Sequence, residues 1–105
     1  MKIIKSGHRY ELPNFENPTA PGQSIQFIEK YYSPDAPSDD SATIRDGVTT
    51  ESVLEMLIDR MYHQESKFPC RENAFAIMKL EEALMWIDKR TLDRHARGVI
   101  GKNLK

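Results

Sequence analysis

Three arginines lie close together near the C-terminal end of the chain: Arg90, Arg94 and Arg97. On a helix that turns about 100° per residue, these side chains fall on one stripe. Guanidinium groups are planar, bidentate donors that suit phosphate, which explains the repeated use of arginine where lysine would serve. A helix C-terminus also favours cations through its macrodipole. A phosphate-binding stripe and a simple helix-end charge are therefore both open interpretations.

A second polar group, Cys70-Arg71-Glu72-Asn73, lies on the first turn of the same predicted helix. Free backbone N–H groups at that position favour anions. Asn73 falls in the core-facing sector of the helix, where an amide needs hydrogen-bond partners. Two alternatives follow for Asn73: it bonds to the strand layer, or it contacts a ligand.

The charge of the chain is unevenly distributed along its length. Residues 89–105 contain six cations and one carboxylate, a net of +5, whereas the other 88 residues carry −6. This imbalance indicates an anionic partner at the C-terminal end, or else a solvated basic tail. The sequence pI near 6.3 argues against a dedicated nucleic-acid binder, so we expect no DNA or RNA partner.

Residues for catalysis are sparse and badly spaced. The three histidines His8, His63 and His95 show no zinc-binding spacing. Glu81 and Glu82 are adjacent on a helix and diverge by about 100°, so they cannot act as a close carboxylate pair. There is no glycine-rich phosphate loop. We therefore predict a binding protein, without enzymatic activity, cofactor or metal.

Length and composition predict one soluble domain spanning residues 1–105. The chain is 39% hydrophobic and 30% charged, and no apolar run approaches the ~20 residues of a membrane span. Its first five residues are too short an apolar stretch for a signal peptide. Cys70 is the only cysteine, which excludes an intrachain disulfide and fits a reducing cytoplasm.

The predicted secondary structure that positions these side chains changes from strands to helices about halfway along the chain. Alternating apolar and polar residues predict strands at about 8–12, 24–32 and 42–45, separated by proline-rich loops. From Thr49, a helix N-cap candidate followed by Glu51, the apolar spacing becomes helical to about residue 63. Pro69 interrupts it, and a second helix is predicted over 71–97, with Gly98 beyond its end. The predicted class is α+β, a small antiparallel β-sheet (about 8–47) followed by a two-helix antiparallel hairpin (49–97).

The second helix has two apolar faces. The broad one, predicted to pack on the first helix and the sheet, comprises Ala76, Ile77, Leu80, Ala83, Leu84 and Ile87. The other comprises Phe75, Met78, Met85 and Trp86. One hairpin on a small sheet cannot easily bury both faces, so the surplus face indicates a symmetry mate. The alternative is that these four residues form core with the strand layer.

Distance separates the two polar groups. Asn73 and Arg90 are 17 residues apart, about 25 Å along a straight helix. One small ligand cannot touch both in a single chain. If two hairpins pack antiparallel, Arg71 and Asn73 of one protomer approach Arg90 and Arg94 of its mate, and the oligomer forms a composite site.

Several runs on the hairpin resemble the phage anti-Thoeris sponge proteins, which are related through this hairpin to anti-CBASS sponges. The similarity covers about residues 8–101, including Gln26-Phe27-Ile28 and 46–50. Its most specific runs are Phe68-Pro69-Cys70-Arg71-Glu72-Asn73-Ala74, Lys79-Leu80-Glu81-Glu82-Ala83-Leu84-Met85-Trp86, and Lys89-Arg90-Thr91 with Asp93-Arg94, ending on Arg97-Gly98-Val99.

This resemblance implies a homo-oligomer, either a dimer or a hexamer built from dimers, in the host bacterial cytoplasm. It would bind cyclic ADP-ribose isomers without cleaving them, with cyclic di- or trinucleotides at separate sites between subunits. The matched positions Asn73, Arg90, Arg94 and Arg71 become expected ligand contacts.

An adenine would stack on an aromatic or apolar wall, for which Phe27, Tyr31 and Trp86 are candidates, each of them also a possible core residue. The rival hypothesis is a phage structural or interaction protein whose hairpin serves assembly only.

Overall fold

The computed structural model describes residues 1–31 and 42–96, and confirms the α+β class. Its elements are β1 (Lys2–Lys5), β2 (Arg9–Leu12), β3 (Gln23–Gln26), β4 (Glu29–Tyr31), β5 (Ala42–Arg45), α1 (Thr50–Lys67) and α2 (Arg71–Ala96). The chain divides into two compact units, Met1–Thr49 with the strands and Thr50–Lys105 with the helices. That both units belong to one domain stays a prediction.

The first three strands form an antiparallel sheet in the order β1-β2-β3. Tyr10 on β2 pairs with Ile3 on one side and with Ile25 on the other. Strand β1 was not predicted from the sequence. It reverses into β2 through Gly7, whose φ of 81° lies in the left-handed region that glycine adopts without a steric penalty.

The single strand predicted over residues 24–32 is wrong in one respect, because the structure divides it into β3 and β4. The division falls at Phe27, which forms a parallel bridge with Val48. Its N–H donates to His8 O at 2.7 Å, while the N–H of Ile28 donates to Val48 O at 2.9 Å. The backbone thus changes hydrogen-bond partners at this point, a change that alternation of side chains does not reveal.

Strand β4 then pairs antiparallel with β5 in a separate two-stranded sheet. The predicted bounds of β5 are confirmed. The turn after β5 passes close to the end of β3, where a Cβ atom on Gly47 would meet Gln26 O. Glycine at this position therefore allows the two backbones to approach. The loop predicted over 33–40 and the strand end at Tyr32 lie outside the described residues.

The two helices form the predicted hairpin, joined by residues 68–70. Helix α1 runs four residues beyond the predicted end, to Lys67, and the N–H of Phe68 still donates to Gln64 O at 2.9 Å. The end comes just before Pro69, which cannot continue a helix. Helix α2 begins at Arg71 as predicted. Its predicted end at Arg97 and the cap at Gly98 lie outside the described residues.

The broad apolar face of α2 is confirmed as the more buried one. Ile77 is buried, and Ala76, Leu80, Ala83, Leu84 and Ile87 are half-buried. On α1 the half-buried apolar side chains include Leu54, Ile58 and Met61. Across the hairpin, the hydroxyl of Tyr62 donates to the carboxylate of Glu81 at 3.1 Å. The hairpin core is thin, because apart from Ile77 the described helical residues are only partly covered.

One buried carboxylate supports the strand unit. Glu29 is buried and accepts a hydrogen bond from the Nζ of Lys5, which belongs to the edge strand β1. That hydrogen bond, opposed by burial and assisted by the charges of Lys5, His8 and Arg45, holds the pKa of Glu29 below its ordinary value.

We predict that Glu29→Gln removes part of the acid sensitivity of the fold. Because the folded pKa is depressed, the ion pair stabilises the protein above the ordinary glutamate pKa of about 4.3 and is lost as pH falls through the folded value. Thermal unfolding between pH 3 and 7 should show a lower Tm for the variant near neutrality and a flatter acid limb. The exposed Glu16→Gln serves as the control, and an unchanged pH profile for Glu29→Gln would contradict the prediction.

Candidate functional site

Asn73 connects the beginning of α2 to the end of α1. Its side chain is half-buried, and Nδ2 donates to the carbonyl of Phe68 at 3.2 Å. Its backbone N–H points to Cys70 Sγ at 3.4 Å. The side-chain amide of Asn73 thus forms its hydrogen bond with the connection between the helices. The sequence-based alternatives did not include this partner. In the described part of the chain, Asn73 Oδ1 has no hydrogen-bond partner and can accept one from a ligand.

A pocket of about 340 Å³ opens beside Asn73 at this end of the hairpin. Its lining residues are Arg60, His63, Gln64, Lys67, Phe68 and Asn73. Two are permanent cations and none is a carboxylate, so the pocket is suited to anions. We call it the basic pocket.

Sequence reasoning missed the residues that α1 contributes to the basic pocket. Arg60, His63 and Lys67 are spaced i, i+3 and i+7, which places them on one face of the helix. That spacing was a signal available in the sequence.

Arg71 does not line the basic pocket. Its side chain is largely exposed, and its guanidinium lies 6.0 Å from the centroid of the Phe75 ring, within the range of a cation–π contact. A carboxylate oxygen of Glu72 is 3.9 Å away, at the limit of an ion pair. Arg71 therefore borders the second apolar face of α2.

The other predicted contacts lie at the far end of α2. Arg90 is exposed and makes no ion pair with any described residue, while Arg94 is half-buried. Asp93 forms an ion pair with Lys89, one helical turn before it, at 3.0 Å. The third arginine of the stripe, Arg97, lies outside the described residues.

The structure does not bring the two ends of α2 together. The helix is continuous from Arg71 to Ala96, so the separation of about 25 Å between Asn73 and Arg90 holds. Within one chain, Asn73 and the α1 residues of the basic pocket therefore lie at one end of the hairpin, and Arg90 with Arg94 lies at the other; we call these two groups the candidate half-sites.

Phe27 belongs to the strand unit. Its ring is half-buried and packs edge-on against Tyr10, with centroids 5.9 Å apart and an interplanar angle of 85°. This aromatic pair stabilises the sheet. Its predicted role as a ligand contact stays a prediction.

The second apolar face of α2 is about half exposed. Phe75, Met78, Met85 and Trp86 are exposed by 50%, 53%, 53% and 56%, respectively. Leu92, further along the helix, is 67% exposed. Large apolar side chains left in this state on one helix face indicate a further protein surface.

A second hollow of the hairpin has the opposite charge. It measures about 690 Å³, with an apolar floor that includes Ile58, Leu84 and Leu92. Its rim comprises Glu55, Glu81, Asp88, Asp93 and Lys89. Four carboxylates and one lysine make this hollow unsuited to a phosphate, which leaves the basic pocket as the candidate site.

Comparison with known families agrees with this arrangement of helices. The family model described as Acb2/Tad1, hairpin domain, matches residues 24–92. The chain belongs to this hairpin family. The matched range includes the basic pocket, Arg90 and the second apolar face, and it ends two residues before Arg94.

A similar protein is Thoeris anti-defense 1 of Bacillus phage SBSphiJ7, which is 57% identical over 60 residues. That alignment covers 56% of this chain and 42% of the relative. The chain therefore matches less than half the length of this phage relative.

The described residues contain neither a metal-binding cluster nor a membrane-spanning helix. No group of three or more histidine, cysteine, aspartate or glutamate side chains in residues 1–31 and 42–96 is placed to hold a metal ion. No helix in those same ranges is long and apolar enough to cross a membrane.

We predict that Asn73→Ala destabilises the protein by about 0.5–1.5 kcal/mol, because the Phe68 carbonyl loses its side-chain donor. Urea unfolding measured by circular dichroism gives this difference in the free energy of unfolding. Thr91→Ala, at an exposed position of the same helix, serves as the control and should not destabilise. Equal stability of Asn73→Ala and the wild type would mean that this hydrogen bond contributes nothing.

Proposed function

We propose that this protein is a phage immune-evasion protein that binds and sequesters nucleotide second messengers of the bacterial host without cleaving them. Its membership of the Acb2/Tad1 hairpin family and its similarity to a phage protein named for Thoeris anti-defence support this proposal. The expected ligands are cyclic ADP-ribose isomers, with cyclic di- or trinucleotides as further candidates. The site of action would be the host cytoplasm.

The observation that carries the proposal is the pair of cationic half-sites on one helix hairpin. The basic pocket has no carboxylate in its lining, and Arg90 at the other end is exposed and has no ion-pair partner among the described residues. Arginine recognises phosphate by two parallel hydrogen bonds, so a pyrophosphate or a phosphodiester fits this arrangement.

The two half-sites of one chain are too far apart to contact the same small ligand. A ligand that contacts both kinds of half-site therefore requires an oligomer. In an antiparallel pair of α2 helices, the beginning of one helix lies beside the end of the other. The half-exposed side chains Phe75, Met78, Met85 and Trp86 provide an apolar surface for such a pair. Two copies would give two equivalent composite sites by symmetry, and three such pairs would form the hexamer that the family resemblance implies.

Sequestration depends on affinity and protein concentration, not on turnover. Closing a site between two subunits removes water and strengthens each charged hydrogen bond. The adenine would stack on an aromatic wall, for which Trp86, exposed beside the interface, is a candidate together with Phe27 and Tyr31.

We predict that Arg90→Ala/Arg94→Ala weakens nucleotide binding by at least about 100-fold, since hydrogen bonds to charged groups contribute roughly 1.5–3 kcal/mol each. Isothermal titration calorimetry with cyclic ADP-ribose isomers and cyclic dinucleotides measures the effect. Lys2→Ala/Lys79→Ala, which removes the same charge from exposed positions outside the site, should bind like the wild type.

The state of the bound ligand separates sequestration from catalysis. Heat denaturation of the complex should release intact ligand, and recovery of a hydrolysed product would show an enzyme. The alternative function is an assembly or interaction protein, favoured by the exposed apolar face alone. Absence of heat with every nucleotide, in a protein that still oligomerises, would support that alternative.

We predict that Met85→Glu and Trp86→Glu each shift the protein towards the monomer and weaken binding. In a two-fold interface, each substitution introduces two desolvated carboxylates, whose burial is unfavourable. Light scattering after size-exclusion chromatography measures the mass. Phe15→Glu is the matched control, since this side chain is 96% exposed in the strand unit. A Met85→Glu monomer with full nucleotide affinity would disprove the composite site.

A further inference from the structure

A stripe of basic side chains on α1 lines the basic pocket: Arg60, His63 and Lys67. We propose that this α1 stripe is a second phosphate-binding wall at the Asn73 half-site. It makes the composite site selective for ligands with two or more phosphates. This inference rests on the proposed function, and it adds residues of α1 to a site so far assigned to α2.

The basic side chains of the wall are spread along the axis of α1. Arg60 and Lys67 are seven residues apart, about 10 Å along the helix axis, with His63 between them. Phosphates at different positions of one ligand can therefore each meet a cation without a change in the backbone. The long side chains of arginine and lysine extend this range further.

The cations of the wall have no carboxylate partner among residues 1–31 and 42–96. In the described ranges, Lys5 pairs with Glu29, Lys79 with Glu82 and Lys89 with Asp93. Arg60 and Lys67 form no such pair, so their charge is available to a ligand.

The carboxylate of Asp59 lies close to the wall on α1 but forms no ion pair with its side chains. Asp59 precedes His63 by one helical turn, yet no ion pair joins the two side chains. The helix macrodipole accounts for Lys67, in the last turn of α1, because it favours cations there. It does not account for Arg60, which lies two turns earlier, since the effect falls off within the last turn.

Other groups in the pocket complement a nucleotide. Phe68 is 78% exposed, which leaves a ring available for stacking on a base. The unpartnered Oδ1 of Asn73 can accept a hydrogen bond from an exocyclic amine or a ribose hydroxyl. Charge, an aromatic surface and a directional acceptor thus occur together within about 340 Å³.

Electrostatics then select the ligand. In the composite site, Arg90 and Arg94 of one protomer approach Arg60 and Lys67 of its mate. Four positive charges at short range repel one another, and the repulsion grows as closure excludes water. A ligand with one phosphate relieves only part of this repulsion. One with two phosphates compensates more of it and gains more charged hydrogen bonds.

The test is a double variant, Arg60→Ala/Lys67→Ala, titrated by calorimetry with cyclic ADP-ribose isomers and a cyclic dinucleotide, which carry two phosphates. The one-phosphate probe is 3′,5′-cyclic AMP. We expect the variant to bind the two-phosphate ligands at least about tenfold more weakly. Its preference for them over cyclic AMP should shrink, and its affinity should depend less on salt.

Matched variants exclude a general loss of charge or of structure. Lys2→Ala/Lys79→Ala removes the same charge elsewhere and should leave affinity within twofold of wild type. Arg60→Lys keeps the charge but not the bidentate geometry, so it should fall between wild type and the double variant. Circular dichroism and the mass in solution show whether each variant keeps its helices and its oligomer.

The outcomes separate this inference from the proposed function. If Arg60→Ala/Lys67→Ala binds every ligand like the wild type while Arg90→Ala/Arg94→Ala does not, the α1 wall is disproved and the proposed function stands. Equal loss for one-phosphate and two-phosphate ligands disproves the selectivity. If the wild type binds none of these nucleotides, both proposals fail.

Discussion

A continuous 26-residue helix separates the candidate ligand contacts of this protein and so limits how they can act together. A helix rises about 1.5 Å per residue, and nothing in α2 bends it so as to bring Asn73 near Arg90. A ligand shorter than about 25 Å can therefore contact only one end of the helix in a given chain, unless it binds between two chains. The proposed mode of action follows from this distance. In that proposal an oligomer would do more than stabilise the subunit, because it would complete the site.

Limited burial within the hairpin leads to the same conclusion. Two helices can cover one face of each other, and here that face contains a single buried side chain among the described helical residues, Ile77. The opposite face of α2 keeps large apolar side chains about half exposed, Met85 and Trp86 among them. Burying that surface in an interface would provide the free energy that a thin core lacks. Ligand binding and subunit stability would then depend on the same contacts.

The sign of the charge distinguishes the basic pocket from the acidic hollow beside Leu84 in the described part of the hairpin. Both pockets lie on the same pair of helices, and their shapes alone do not distinguish them. One has four carboxylates and one lysine at its rim, whereas the other has cations and amides without a carboxylate. A phosphate-bearing ligand is repelled from the first and attracted to the second. In the proposed function, recognition of the ligand would therefore depend on which faces of α1 and α2 carry acids.

Periodicity and composition alone determined the class of the fold, the strand β5, the start of α2 at Arg71 and its buried face, since each follows from local spacing and from where proline stops a helix. Tertiary structure decided the rest. The division of the strand at Phe27 depends on hydrogen bonds to His8 and Val48, which are distant in sequence. Likewise the Asn73 amide binds Phe68 across the helix connection, and Arg60, His63 and Lys67 form a pocket only because α1 folds back against α2. Spacing along one helix shows which residues share a face, but only the packing of the second helix shows what that face encloses.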